Sequence, residues 1–308
     1  MRRTALREIH ALARRDPRVL FIGSDLGAGT LDEFRAEFPE RFLMEGIAEQ
    51  NIIGMAAGLA MEGFVPYVNT IATFLTRRCL EQVAVDLCLH RLPVRLIGNG
   101  GGLVYAALGP THIAAEDIAL MRALPNMTVV VPADGDEMAR LIPQTLDWPG
   151  PVYIRLARGG DPVVSRPGDS FEIGKAILLR EPGEVLLIAA GVMVARALEA
   201  AQALAADGVE CGVLNLHTIK PLDKERILGL TSGVDLVVTI EEHSRVGGLG
   251  SAVAELMLEQ APGRLPKLRR LAIPDAFTEQ YGSQAELLES LGLAPRHIAA
   301  EVRQARAA

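Results

Sequence analysis

The chain has 308 residues, 49% of them hydrophobic and only 4% aromatic, with a formal net charge of -7. That length allows two domains, each with its own core built mainly from Ala, Val, Leu and Ile. The acidic balance argues against nucleic acid or an anionic membrane surface as a partner, and no stretch approaches the apolar length of a membrane span.

The first residues, Met1-Arg2-Arg3-Thr4, lack the apolar run of a secretory signal, so a cytoplasmic location is expected. Apolar runs alternate with helical patterns, as in a parallel α/β sheet. Strands are expected at Val19–Gly23, Arg41–Met44, Val65–Val68, Val94–Gly98, Thr128–Val131 and Val152–Arg155. Helices are expected at Thr4–Arg14, Gln50–Glu62, Arg77–Leu89, Ala114–Ala123 and Gly135–Leu146, with Asp134 capping the last. Turn residues then cluster at Gly159–Pro162 and Arg166–Ser170, which reads as a linker. A second series follows, with strands at Val185–Ala190, Glu210–Leu216, Asp235–Glu241 and Leu268–Ile273 and helices at Val194–Ala206 and after Gly250. The expected fold is α/β in two domains, residues 1–165 and 166–308, each a mostly parallel sheet flanked by helices. Cys79, Cys88 and Cys211 show no metal-ligand spacing and read as reduced core residues.

Four segments carry candidate chemistry. Gly46-Ile47-Ala48-Glu49-Gln50-Asn51 joins a strand end to a small-residue helix, where open α/β sheets place ligand chemistry. Taken alone, Glu49 reads as an acid complementing the helix dipole. Thr73-Phe74-Leu75-Thr76-Arg77-Arg78 places a scarce aromatic after a strand, either to stack on a flat ring or to pack under the turn. The Gly-rich loop from Gly98 to His112 is long for a compact fold, and its histidine suits proton movement near neutral pH. Arg155 and Arg158 stand at the last strand's carboxyl end, placed for an anionic group or for a solvated domain boundary. Gly247-Gly248-Leu249-Gly250-Ser251 lacks the full dinucleotide spacing, because Val253 holds its sixth position.

In order along the chain, Gly46-Ile47-Ala48-Glu49, Thr73-Phe74, Gly109-Pro110-Thr111-His112 with Glu116-Asp117, and Pro132-Ala133-Asp134 resemble the pyrimidine-binding domain of transketolase-like, thiamine-diphosphate-dependent enzymes. Glu241-Glu242-His243, Gly247–Gly250, Asp275-Ala276-Phe277 and Gly282-Ser283-Gln284 resemble that family's C-terminal domain. The family's Gly-Asp-Gly segment, which holds the diphosphate and its metal, is absent. The resemblance therefore implies the C-terminal subunit of a split transketolase. A partner, the N-terminal subunit, would carry the diphosphate-binding domain and hold Mg2+ or Ca2+, in an α2β2 heterotetramer acting on a small sugar-type substrate; no metal ligand is expected in this chain.

The same resemblance implies that Glu49 activates thiamine diphosphate, that Phe74 stacks on its pyrimidine, that Ile47 wedges it into a bent shape and that Asp25 lies close to it. His112 would handle protons on substrate hydroxyls and Arg158 would meet the substrate's anionic end. Transketolases carry a His and an Asp where Gly100 and Leu108 stand here, which leaves the usual pentose phosphates in doubt and the substrate open. The alternatives are the β subunit of a two-oxo-acid dehydrogenase, passing its two-carbon unit to a lipoyl or carrier-bound acceptor, a deoxyxylulose-phosphate synthase, disfavoured because that family normally has both halves in one chain, and a non-catalytic regulatory α/β module.

Overall fold

A computed structural model describes residues 1–24, 31–157, 159–166, 168–261 and 263–307. The first sheet is built on β1 (Val19–Gly23), β2 (Phe42–Met44), β3 (Val65–Ile71), β4 (Arg95–Asn99), β5 (Thr128–Val130) and β6 (Val152–Leu156). The second contains β7 (Ile177–Arg180), β8 (Val185–Ala189), β9 (Cys211–Asn215), β11 (Leu236–Ser244) and β12 (Lys267–Ile273); the intervening β10 (Thr218–Lys220) belongs elsewhere. The sheet orders are β10-β5-β6-β4-β3-β1-β2 and β12-β11-β8-β9-β7. All pairings are parallel except β10 with β5 and β7 with β9.

Period-two alternation explains why both faces of each sheet are covered. In β1, Val19 and Phe21 enter one apolar layer, whereas Leu20 and Ile22 enter the other. In β8, Val185, Leu187 and Ala189 face the first layer, and Leu186 and Ile188 the second. Helices Arg2–Arg15, Gly135–Thr145 and Met193–Ala206 close the first layer, and Glu49–Met61 and Leu249–Gln260 the second. Each layer runs through both domains, so the two sheets share continuous apolar cover. No helix among the described residues is long and apolar enough to cross a membrane.

Register determines where the chain leaves the first sheet. Gly23 lies level with Met44 and Asn69, and Asn99 with Leu156. The loops after β1, β2, β3, β4 and β6 therefore emerge along one edge, the carboxyl edge used for ligands in open α/β sheets.

Three expectations need correction. The helix expected over Arg77–Leu89 is broken: a short helix spans Ala72–Thr76, the next begins at Leu80, and Val83–Leu89 winds with wider π-type turns. The helix expected from Ala114 begins at Asp117, because Ala114 is held in a two-way backbone pair with Gly102 at 3.0 Å. The strand expected through Leu216 ends at Asn215, and β10 crosses to the edge of the first sheet, where the His217 carbonyl accepts from Val131 N–H at 2.7 Å. Asp134 caps as expected, accepting from Asp136 and Glu137 N–H at 2.9 Å. The three cysteines are buried and unpaired; burial pushes Cys79 up to about 12 and Cys88 and Cys211 up to about 11, so none is a thiolate at neutral pH.

Arg155 shows why the two domains stay together. Its Nε donates to Asp117 Oδ2 at 2.9 Å, and its Nη2 donates to the carbonyls of Ala114 at 3.1 Å and Glu242 at 2.8 Å. Burial works against its charge, but Asp117 and Glu242 outweigh that and raise it above the ordinary guanidinium value. Arg155 is thus a buried cross-domain tie, and the anion-binding role weighed for it is not available. Removing one member of a buried pair leaves the other charge uncompensated. R155A is expected to lose about 3–5 kcal/mol of unfolding free energy, read from its urea midpoint.

Glu137 sits at the same junction, accepting from Ala133 N–H at 2.7 Å and Asn215 Nδ2 at 2.5 Å. Burial pushes its carboxyl up from 4.5 to about 7, against the hydrogen bonds that favour the charged form. Between those values the folded protein holds a proton that the unfolded chain has released. Its stabilising contribution is therefore complete below 4.5 and is lost as pH rises through 7. E137Q keeps a neutral side chain, with the Asn215 amide free to flip and present Oδ1, which has no other partner. Denaturation between pH 5 and 8 should show wild type losing about 2.5 kcal/mol relative to E137Q.

Candidate functional site

The loops along the carboxyl edge bring Glu49, Phe74 and His112 into one cleft. Glu49 opens the helix Glu49–Met61 and is only 1% exposed. Its carboxylate accepts from Ser24, at the end of β1, at 3.3 Å and from Arg78 Nη1 at 2.5 Å. The Ser24 hydroxyl also meets Thr70 of β3. The acid is therefore gripped from the end of β1 and from the segment carrying Arg78, with Thr70 bracing the Ser24 hydroxyl, beyond any service to its own helix.

Phe74 lies in the short helix after β3, with the Arg78 guanidinium 4.1 Å from its ring centroid. The His112 ring meets Phe74 edge-on at 5.3 Å and Tyr105 at 6.5 Å. Thr111 Oγ1 lies 2.9 Å from His112 Nδ1, which fixes one ring nitrogen. Arg77 staples the turn that presents His112: it pairs with Glu116 and donates to the carbonyls of Pro110 and Ile113, each at 2.9 Å. Gly100 takes a φ of +74°, and an added Cβ would fall on the Tyr105 ring, so that ring fills the space a side chain at position 100 would need. Leu108 stands half exposed on the same loop.

Ile47 is 77% exposed in the turn two residues before Glu49. Asp25 and Arg158 lie outside the described residues. The residues missed by sequence reasoning are Arg77, Arg78, Ser24, Thr70 and Tyr105. The doublet Arg77-Arg78, three residues after Phe74 and just past the short helix, was the available signal, since two adjacent cations there need acceptors.

The C-terminal segments support the cleft from behind. Glu242 is buried, accepts from Leu103 N–H at 3.0 Å and Gln284 Nε2 at 2.7 Å, and so ties the Gly-rich loop to the second domain. Burial raises its carboxyl above the usual range. Glu241 accepts from Leu249 N–H at 2.7 Å and Gly250 N–H at 2.8 Å. A Cβ at Gly248 would collide with that carboxylate. The Leu249 and Gly250 amides of this turn are thus spent on Glu241 and the Gly247 amide on Ser251 Oγ, so these three are not free to meet a phosphate. His243 presents Nδ1 to the Ser244 carbonyl at 2.8 Å and receives Ala119 N–H on Nε2 at 3.2 Å, a domain contact with neutral-imidazole geometry. A cavity of about 460 Å³ lies where the His112 turn meets the second domain, lined by Arg77, Pro110, Glu116, Ser244, Pro274 and Phe277.

Residues 1–160 match the transketolase pyrimidine-binding domain, and residues 174–298 match the transketolase C-terminal domain. The chain belongs to the transketolase family. It is 40% identical over 287 residues to a 6-deoxy-6-sulfo-D-fructose transketolase subunit of Clostridium sp. (strain MSTE9), covering 93% of this chain and 88% of that one. It is 38% identical over 284 residues to an apulose-4-phosphate transketolase subunit of Phocaeicola vulgatus, covering 92% and 89%. A solved split-gene transketolase, described as an inactive beta4 tetramer, superposes with a TM-score of 0.90 at 38% identity, covering 98% of this chain and 97% of that one.

This transketolase-family chain thus carries two of the family's domains and is matched over most of its length by subunits of split enzymes. Family membership implies dependence on thiamine diphosphate, and the residues present fit the pyrimidine half of that cofactor. They offer a buried carboxylate to meet a ring nitrogen and an aromatic face beside it. Among the described residues no three His, Cys, Asp or Glu side chains gather as a ligand set for a metal.

R77A would release both carbonyls and Glu116 from the His112 turn. Amide exchange at residues 109–113 is expected to accelerate by at least tenfold, while global stability falls by only about 1–2 kcal/mol.

Proposed function

We propose that this chain is the C-terminal subunit of a two-chain, thiamine-diphosphate-dependent transketolase. It transfers a two-carbon ketol unit from a ketose-type donor to an aldose or other acceptor, with residues 1–165 as pyrimidine-binding domain and 166–308 as C-terminal domain. The observation that carries this reading is the buried Glu49 carboxylate at the sheet's carboxyl edge, beside Phe74 and within the reach of the His112 loop.

The chemistry supplied by bound thiamine diphosphate is a carbon nucleophile and storage for the electron pair of the broken carbon–carbon bond. The chain's own residues position and protonate. Glu49 holds or shares a proton at a pyrimidine nitrogen, in a pocket where little water competes for it. Phe74 offers its face for stacking and Ile47 its exposed side chain as a wedge. His112, with one ring nitrogen engaged by Thr111, takes and returns protons at substrate hydroxyls. Asp25 is assigned a place near the cofactor and Arg158 the substrate's anionic end. The change from polar residues to Gly100 and Leu108, with Tyr105 packed into the gap, favours a donor other than the common pentose phosphates.

The N-terminal subunit, carrying the diphosphate-binding domain and Mg2+ or Ca2+, completes the site in an α2β2 assembly. The subunit names of the two relatives and the inactive beta4 state of the solved split-gene transketolase support a need for that partner. Calorimetry with thiamine diphosphate and Mg2+ tests the reading. Binding is expected only after the partner subunit is added, and E49Q in that complex should lose at least about a hundredfold in kcat. A well-formed complex that binds no cofactor would sink the assignment.

A further inference from the structure

Glu49 has almost no water around it, and a buried carboxylate persists as a charge only with a cation against it. Ser24 offers one long hydrogen bond and shares its hydroxyl with Thr70, so Arg78 supplies the charge balance. The same guanidinium covers the Phe74 ring. One side chain therefore engages both groups that the functional reading gives to the aminopyrimidine: the acid and the aromatic face. A guanidinium suits this double duty, being flat, rich in N–H donors for a carboxylate and able to stack on a ring. Two flat groups cannot share that space.

Mobility also favours Arg78 as the group that yields. Its side chain is 40% exposed and rises from the break between the helices Ala72–Thr76 and Leu80–Gln82, whereas Glu49 is locked inside. Arg77 cannot replace it, because its own guanidinium is committed to Glu116, Pro110 and Ile113.

We propose that Arg78 is a positioning residue that keeps the aminopyrimidine's place in the unloaded chain, paired to Glu49 and stacked on Phe74, and that it is displaced when thiamine diphosphate binds. This rests on the functional reading above. Arg78 holds the Glu49 side chain ready and prevents a bare buried charge, at a cost in cofactor affinity equal to breaking its own contacts.

Two variants test the role in the complex with the partner subunit, with thiamine diphosphate and Mg2+ as the calorimetric probe. R78A should lower the melting temperature of the free chain, yet bind cofactor in the complex about tenfold more tightly, equivalent to about 1.4 kcal/mol. A purely structural arginine would not tighten binding when removed. R78K keeps a cation for Glu49 but no plane for Phe74, so it should preserve the melting temperature and tighten binding by a smaller factor. If R78A fails to fold, R78K decides. Unchanged or weakened binding in the folded variants overturns the placeholder role while leaving the functional reading intact. Absence of binding in the wild-type complex overturns both.

Discussion

A guanidinium buried away from water must be enclosed by acceptors, and for Arg155 those acceptors come from both domains. Asp117 opens the helix after the His112 loop, the Ala114 carbonyl belongs to that loop's closing pair, and the Glu242 carbonyl belongs to the irregular stretch of β11 between Ile240 and Ser244. One charge on the last strand of the first sheet thus fixes the base of the loop and the docking of the second domain together. Glu242 adds a second tie to the loop through Leu103. The carboxyl edge of the first sheet and the domain junction are consequently one mechanical unit. A change in domain packing would be felt at His112.

The buried acid Glu49 is treated differently. Arg155 meets a fully buried partner and stays; Glu49 meets a half-exposed arginine that can leave. The contrast separates a structural ion pair from one suited to exchange. Arg77 and Arg78 divide the same way, although they are neighbours in sequence. The first is spent on shaping the His112 turn, and the second faces the cleft. Both lie in the break between the helices that end at Thr76 and begin at Leu80.

Much of the fold was legible in the sequence because its cues are local. Strands β1 and β8 are apolar throughout, β3, β4, β6 and β11 each hold a shorter apolar run, and the Asp134 cap follows a strand by its own residue type. The ordered segments around Glu49, Phe74 and His112 named the family. The His112 loop stood out in the sequence by its length and glycines, whereas the Arg77 staple holding it did not. Helix Asp117–Ala123 and the π-wound Val83–Leu89 were misjudged at their starts, since an apolar periodicity does not reveal that Ala114 is already paired with Gly102 or that Cys79 interrupts the winding.

The sequence by itself determined the class of fold, the transketolase resemblance and the presence of an acid, an aromatic ring and a histidine at strand ends. Those follow from short-range pattern and residue chemistry. The tertiary structure alone decided which cation serves which acceptor: Arg155 to Asp117, Arg77 to Glu116 and Arg78 to Glu49, across separations of 38, 39 and 29 residues. It also decided that β10 leaves its own domain to edge the first sheet. Such choices depend on which groups meet when distant strands pair and water is excluded, and no local stretch of sequence carries that information.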